Sequence, residues 1–153
     1  MVVFESNKGR RIIGRLERGD NLLESLLTTC EKFDVKAGFI RGLGAFETAE
    51  LTEYDIEKGD YRPPFRLEGL HELLMLNGNV SFKEGRPFLH LHALLSSVKP
   101  GACTVYGGHL LSATVFACEF EIVTSDDVEL VRKADTATGL SLWQESGKLK
   151  AKS

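Results

Sequence analysis

The chain is poor in cysteine and proline, and it has neither a long apolar run nor an excess of positive charge. Each shortage excludes something. Cys30, Cys103 and Cys118 are odd in number and widely spaced, so they do not form a disulfide framework; set among apolar residues, they read as buried thiols. No apolar run reaches the roughly 18 residues of a membrane helix, and the opening MVVFESNKGRR is too short an apolar run for a signal peptide. The expected compartment is therefore the cytoplasm, with no membrane partner. A net charge of −3 and a pI of about 5.8 lack the basic surface of a free-standing DNA binder. HExxH, CxxC and the acid-rich calcium loop are all missing. Gly42-Leu43-Gly44 does not complete GxGxxG, because Glu47 stands at the third glycine and no clear helix follows, which argues against a dinucleotide site. Gly85-Arg86-Pro87 copies the core of an AT-hook, but Glu84 precedes it and the second arginine is missing, whereas minor-groove arms need positive charge.

What is present suits one domain with a real core. Its 153 residues are 42% hydrophobic and 27% charged, both ordinary for a globular protein. The expectation is a single domain over residues 1–153, with a core of about 10–143 and a frayed tail over 144–153 carrying Lys148, Lys150 and Lys152. Arg11–Leu16 reads as a first strand. Asp20 is a helix N-cap, and Leu22, Leu23, Leu26, Leu27, Cys30 and Phe33 form the apolar stripe of an amphipathic helix. Lys36–Tyr54 reads as two strands with a bend or bulge near Gly42–Gly44. Asp55–Pro64 is a loop, and Leu67–Val80 is one or two strands with a turn at Asn77-Gly78. Phe82–Pro87 is a turn, Leu110–Val123 a central strand and Glu129–Lys133 a short strand; Leu140, Leu142 and Trp143 are docking points near the end.

Chemistry concentrates in Gly85–Leu111, which holds His90, His92 and His109. Phe88–Ser96 reads as a strand bounded by Pro87 and Pro100. Alternation puts Leu89, Leu91, Ala93 and Leu95 on one face and Phe88, His90, His92 and Leu94 on the other. Two residues along a strand span about 6.5–7 Å, so both imidazoles can lean onto one ion. His109 can return beside them after a turn-rich connection containing Pro100-Gly101 and Gly107-Gly108. Three such ligands leave a tetrahedral ion one open position. An HxH pair also arises as ordinary surface or core histidines, and spacing alone leaves both readings open. His71 reads as structural or exposed. Arg41 is either an exposed strand residue or a positive group aimed at a ligand.

The order of these pieces resembles the PPC domain, the plants-and-prokaryotes conserved domain. The matching residues are Gly19-Asp20, Arg41-Gly42-Leu43-Gly44-Ala45, Glu72–Gly78, Gly85–His92 and Gly107-Gly108-His109-Leu110. The resemblance covers roughly residues 10–143. It implies an α+β fold with a mostly antiparallel, barrel-like sheet of about six to eight strands and one main helix near the N-terminus. It also implies a homotrimer and a divalent metal at His90, His92 and His109. With neutral imidazoles and no thiolate among the ligands, zinc is the first expectation, ahead of nickel, cobalt and iron. Plant members carry AT-hooks beside this domain, so the resemblance also implies DNA or a transcription-related protein as a partner. The domain is similar in fold to acetolactate decarboxylase, which holds zinc with three histidines. The alternative is therefore a small zinc-dependent lyase or hydrolase taking a small-molecule ligand, with Arg41 as anion anchor and Glu47 or Glu121 as acid–base candidates.

Overall fold

The structure, a computed structural model, describes residues 1–99 and 102–144. The expected turn at Pro100-Gly101 and the lysine-rich tail from residue 145 onward lie outside the described residues. The chain runs β1 (Arg11–Leu16), α1 (Leu22–Lys32), β2 (Gly38–Thr52), β3 (Tyr54–Asp55), β4 (Asp60–Tyr61), β5 (Phe65–Lys83), β6 (Arg86–Lys99), β7 (Ala102–Thr124), β8 (Arg132–Ala134) and β9 (Ser141–Trp143).

Helix α1 forms where the apolar stripe predicts it, and Leu22, Leu26 and Cys30 are its buried residues. The cap is Asn21 and not Asp20: Asn21 Oδ1 accepts from the amides of Leu23 and Glu24, while Asp20 turns back to accept from the Glu17 amide. Five strands make the main sheet, in the order β1-β7-β2-β5-β6, and every pairing in it is antiparallel. The expected six to eight strands in a barrel are corrected to this five-stranded sheet. The first half of β7 pairs with β6 and the second half with β2, which rolls the sheet without making a closed barrel.

Several expected breaks are absent because long strands run through them. Residues 38–52 form one strand, not two, and the bend is a register shift between Gly42 and Gly44. Gly44 has φ +149, and a Cβ there would meet the Ala117 carbonyl oxygen at 2.1 Å, so this bulge depends on a glycine. Asn77-Gly78 lies inside β5 and makes no turn. The hairpin to β6 turns at Glu84 and Gly85, inside the expected turn Phe82–Pro87; both are at positive φ, where a two-residue loop matches the strand twist. Gly107-Gly108 likewise sits inside β7. The expected loop 55–64 contains the small β3–β4 hairpin, and the short strand expected over 129–133 begins at Arg132 and pairs with β9.

Alternation divides the sheet into two faces. Leu91, Gly78, Ile40, Ile122 and Ile12 stand in one cross-strand row on the inner face, with Leu91 and Ile122 fully buried. Helix α1 packs on β6 and β7 over this core. The neighbouring rows point outward: His92, Asn77, Arg41, Glu121 and Ile13 in one, and His90, Asn79, Phe39, Val123 and Arg11 in the other. Cys30 and Cys118 are buried as expected, and burial pushes their thiols up to about 12 and about 11. Cys103 is a correction. It is exposed, near the start of β7, where the strand has left the core.

A candidate metal centre on the outer face

Two neighbouring strands bring the histidines together. His90 and His92 stand two apart on β6, and β7 runs antiparallel beside it with His109 directly opposite His92. The facing β5 is held close by Gly78, where a Cβ would lie 2.1 Å from the His90 carbonyl oxygen. The alternation read from Phe88–Ser96 holds: Leu89, Leu91, Ala93 and Leu95 are all buried, and the histidines take the other face.

The three rings form a compact triangle, with centroids 5.0 Å apart for His90–His92 and His90–His109 and 5.5 Å for His92–His109. One nitrogen from each lies within 4.8 Å of the others. The Nε2 atoms of His90 and His92 are 3.2 Å apart. Two nitrogens on one tetrahedral ion, each at about 2.0–2.1 Å, would be about 3.3 Å apart, so this edge already has the length the ion requires. Nδ1 of His109 is buried and has no hydrogen-bond partner among the described residues. An unsatisfied nitrogen of that kind is costly in a folded protein, and a cation would relieve it.

Electrostatics disfavours the charged form of His90 and His109, and ligation uses the neutral ring. Burial comes first in pushing His90 down to about 4, followed by the charges of His109, Arg132 and His92. His109 moves in the same direction, again mainly by burial and then by His92 and Arg132. Arg132 Nη2 is 3.5 Å from His90 Nδ1. That separation is too long for a firm hydrogen bond, so the guanidinium acts on the ring mainly as a charge disfavouring imidazolium.

The other residues singled out in the sequence lie elsewhere. Arg41 is exposed on the outer face, two strands from His92 in the same row, and its Nε donates to Glu121 at 2.5 Å. Glu121 also pairs with Arg11 at 2.8 Å, and Glu47 pairs with Arg18. These three candidates are thus engaged in ion pairs of their own. His71 is buried and structural, with Nδ1 2.8 Å from the Gly69 carbonyl oxygen and its ring edge-on to Tyr106.

Sequence reasoning missed the far wall of the site. A cavity of about 930 Å³ opens beside His90 and His109, walled by the β3–β4 hairpin and the β8–β9 segment. Tyr61 brings its ring to 5.4 Å from that of His109. Arg132 of β8 lines the same cavity. The only signal for it was an arginine directly after the mostly apolar stretch Val128-Glu129-Leu130-Val131.

Comparison with known proteins identifies the chain's relatives. Residues 3–126 match the Plants and Prokaryotes Conserved (PCC) domain. The chain belongs to this family. Among solved structures, a metal-containing protein from Archaeoglobus fulgidus is 40% identical, with a TM-score of 0.87 over 95% of this chain and 100% of the other. A plant- and prokaryote-conserved (PPC) protein from Pyrococcus horikoshii is 33% identical, with a TM-score of 0.84 over 96% and 99% of the two chains. A candidate DNA-binding protein from Ralstonia eutropha is 25% identical, with a TM-score of 0.75 over 86% and 89%. A Staphylococcus aureus protein similar to α-acetolactate decarboxylase shares the fold alone, at 15% identity and a TM-score of 0.53 over 80% of this chain and 54% of the other. No curated protein matches. Among the described residues, no helix is long and apolar enough to cross a membrane.

The depressed imidazoles make a pH prediction for chelator-treated protein. An unfolded histidine takes its proton near pH 6.5, whereas folded His90 resists protonation down to about 4. Between those values the unfolded state binds more protons, so stability falls as pH drops through that window. Urea midpoints measured from pH 7 to pH 4 should decline, and His90→Gln should flatten the decline. Identical slopes for the two proteins would contradict the assignment.

Proposed function

We propose that the protein is a homotrimeric, metal-binding PPC module in which His90, His92 and His109 hold a divalent ion, zinc before nickel, cobalt or iron. The supporting observation is the 3.2 Å approach of the two Nε2 atoms, together with the unpartnered Nδ1 of His109. An all-imidazole set suits zinc and these neighbours better than magnesium or calcium, which prefer oxygen ligands. The metal-containing Archaeoglobus protein, at 40% identity, supports the same reading. The domain is proposed to span 1–153 as one unit in the cytoplasm.

Three imidazoles would leave a tetrahedral ion one position for another group, and His90 and His109 line the neighbouring cavity. That cavity favours a second reading, a small metal-dependent lyase or hydrolase, over a purely structural ion. Bound there, the ion would supply Lewis acidity toward a carbonyl or a water. Turnover of a small substrate that disappears in His92→Ala would carry the second reading, and its absence would leave the module.

The trimer rests on the outer face. Phe39, Leu43 and Ile13 are more than half exposed there, and Leu74, Met75 and Phe116 add apolar surface. One helix covers only the inner face of the sheet, and an apolar outer face of this extent suits closed cyclic association. Phe46 is fully buried in the core and adds nothing to this face.

A DNA or transcription-related role reaches this chain through its relatives, among them the candidate DNA-binding protein from Ralstonia. In this chain we propose that direct DNA contact is weak and without sequence preference, so that such a role runs through a protein partner.

Three outcomes are expected. Metal-exposed, dialysed wild type and His71→Ala should carry stoichiometric metal by elemental analysis, and His92→Ala almost none; equal content in all three would remove the site. Sedimentation equilibrium should give three times the 16.9 kDa chain mass, and a monomer persisting at micromolar concentration would refute the trimer. In a competition gel shift at about 150 mM salt, where phosphate contacts are already weakened, one duplex should compete no better than random sequence. Tight binding to a single sequence would overturn the indirect role.

A further inference from the structure

A buried guanidinium stands beside the histidines without a carboxylate. Arg132 is only 8% exposed. Its Nε donates to Ser81 Oγ at 2.8 Å, Nη1 to the Ser141 carbonyl at 2.7 Å, and Nη2 to Asn79 Oδ1 at 3.0 Å. The rings of Phe88 and Trp143 hold it, with centroids 5.3 and 5.7 Å from its central carbon. All of these partners are neutral, and among the described residues no carboxylate pairs with it. Neutral dipoles fix a guanidinium in place and satisfy its protons, but they do not cancel its charge.

The surroundings add to that charge. Lys83, Arg132 and Lys133 line the cavity against Asp60 and Glu84; three cations against two carboxylates leave one positive charge. A divalent ion held by three neutral imidazoles brings two more with nothing to offset them. Among the described residues that line the cavity no further carboxylate remains, so a bound anion would supply the missing negative charge. A guanidinium has five N–H donors. Three are given to Ser81, Ser141 and Asn79, and a fourth faces His90, so one at Nη1 stays free for a ligand oxygen. About 930 Å³ is far more than an inorganic anion needs, and Phe88, Leu140 and Leu142 give the cavity apolar wall.

We propose that this cavity binds a small organic oxyanion, a carboxylate or a phosphate monoester, with its charged end between the histidine cluster and Arg132 and its organic body against the apolar wall. The inference rests on the metal reading above and gives it a ligand class. Arg132 is the residue that selects charge. The sequence had pointed to Arg41 for that task, but Glu121 already compensates it.

The test is calorimetric titration of the full-length protein after its metal content has been measured. The probes are butyrate against neutral butyramide, and glycerol 3-phosphate against neutral glycerol; the better-bound anion tells carboxylate from phosphate. At least one anion should bind about tenfold or more tighter than its neutral partner, a margin of about 1.4 kcal/mol. Arg132→Gln should lose that margin while keeping its metal, and Lys133→Gln, on an exposed side chain, should lose about two- to threefold, as a peripheral charge does. Because Arg132 is packed between two rings, Arg132→Gln could unfold; the anion-to-neutral ratio in wild type then decides alone. Equal binding of charged and neutral partners, no anion binding at all, or an unchanged margin in folded, metal-loaded Arg132→Gln each overturns the proposal. Protein without metal would defeat the metal reading separately, and the same titration would then show whether Arg132 retains an anion without it.

Discussion

The site depends on β7 changing partners at His109. That residue pairs with His92 on one edge and with Thr52 on the other, the single point where β7 joins β6 to β2. Before it the strand belongs to a hairpin, and after it to the centre of the sheet. The change of neighbour needs two backbones to approach closely. Gly108 permits this, since a Cβ there would stand 2.8 Å from the Thr52 carbonyl oxygen. A side chain at that position would push β7 away from β2 and disturb the pairing that sets His109 opposite His92. The glycine pair before His109 is therefore part of the site's architecture, although it makes no turn.

The same alternation that builds the core exposes the histidines. Leu91 between His90 and His92 is fully buried, so a one-residue slip of β6 would bury two imidazoles and expose the core row. Register is thus held by hydrophobic burial on one face, and the other face inherits that precision. The histidine pair owes its spacing to the buried leucines on the opposite face of the strand. Rigid strands make such a constellation more exact than loops would.

The legible parts of this chain were those written in local periodicity. β1 ends where the pattern ends, the helix stripe buries Leu22, Leu26 and Cys30, and the HxH alternation survives unchanged. The misread parts were glycines. Asn77-Gly78 and Gly107-Gly108 look like turns from the sequence, but they serve close contact between strands, which depends on a neighbour distant in the chain. Asp20 and Asn21 are both good caps, and only the chain path through Glu17 decides between them. Arg41 and Arg132 show the same limit for chemistry. Nothing local distinguishes an arginine matched by a glutamate 80 residues away from one held in part by Ser81 and Asn79, 51 and 53 residues away.

Charge compensation therefore separates the two halves of the outer face. Around Glu121, Arg11 and Arg41 place two guanidiniums on one carboxylate, and only Glu121 is largely buried. Exposed pairs of this kind contribute little and are screened by salt. On that half Phe39, Leu43 and Ile13 are exposed apolar surface. Around Arg132 the opposite holds: the cation is enclosed, its partners are neutral, and salt reaches it poorly. The cost of burying it is not recovered inside the described chain. Aromatic packing and three hydrogen bonds hold the guanidinium in place, which keeps a fixed positive charge next to His90 and His109. One residue thus favours neutral imidazoles and prepares the cavity for negative charge. Both effects follow from its position at the start of β8, where β8 and β9 close over the edge of the sheet.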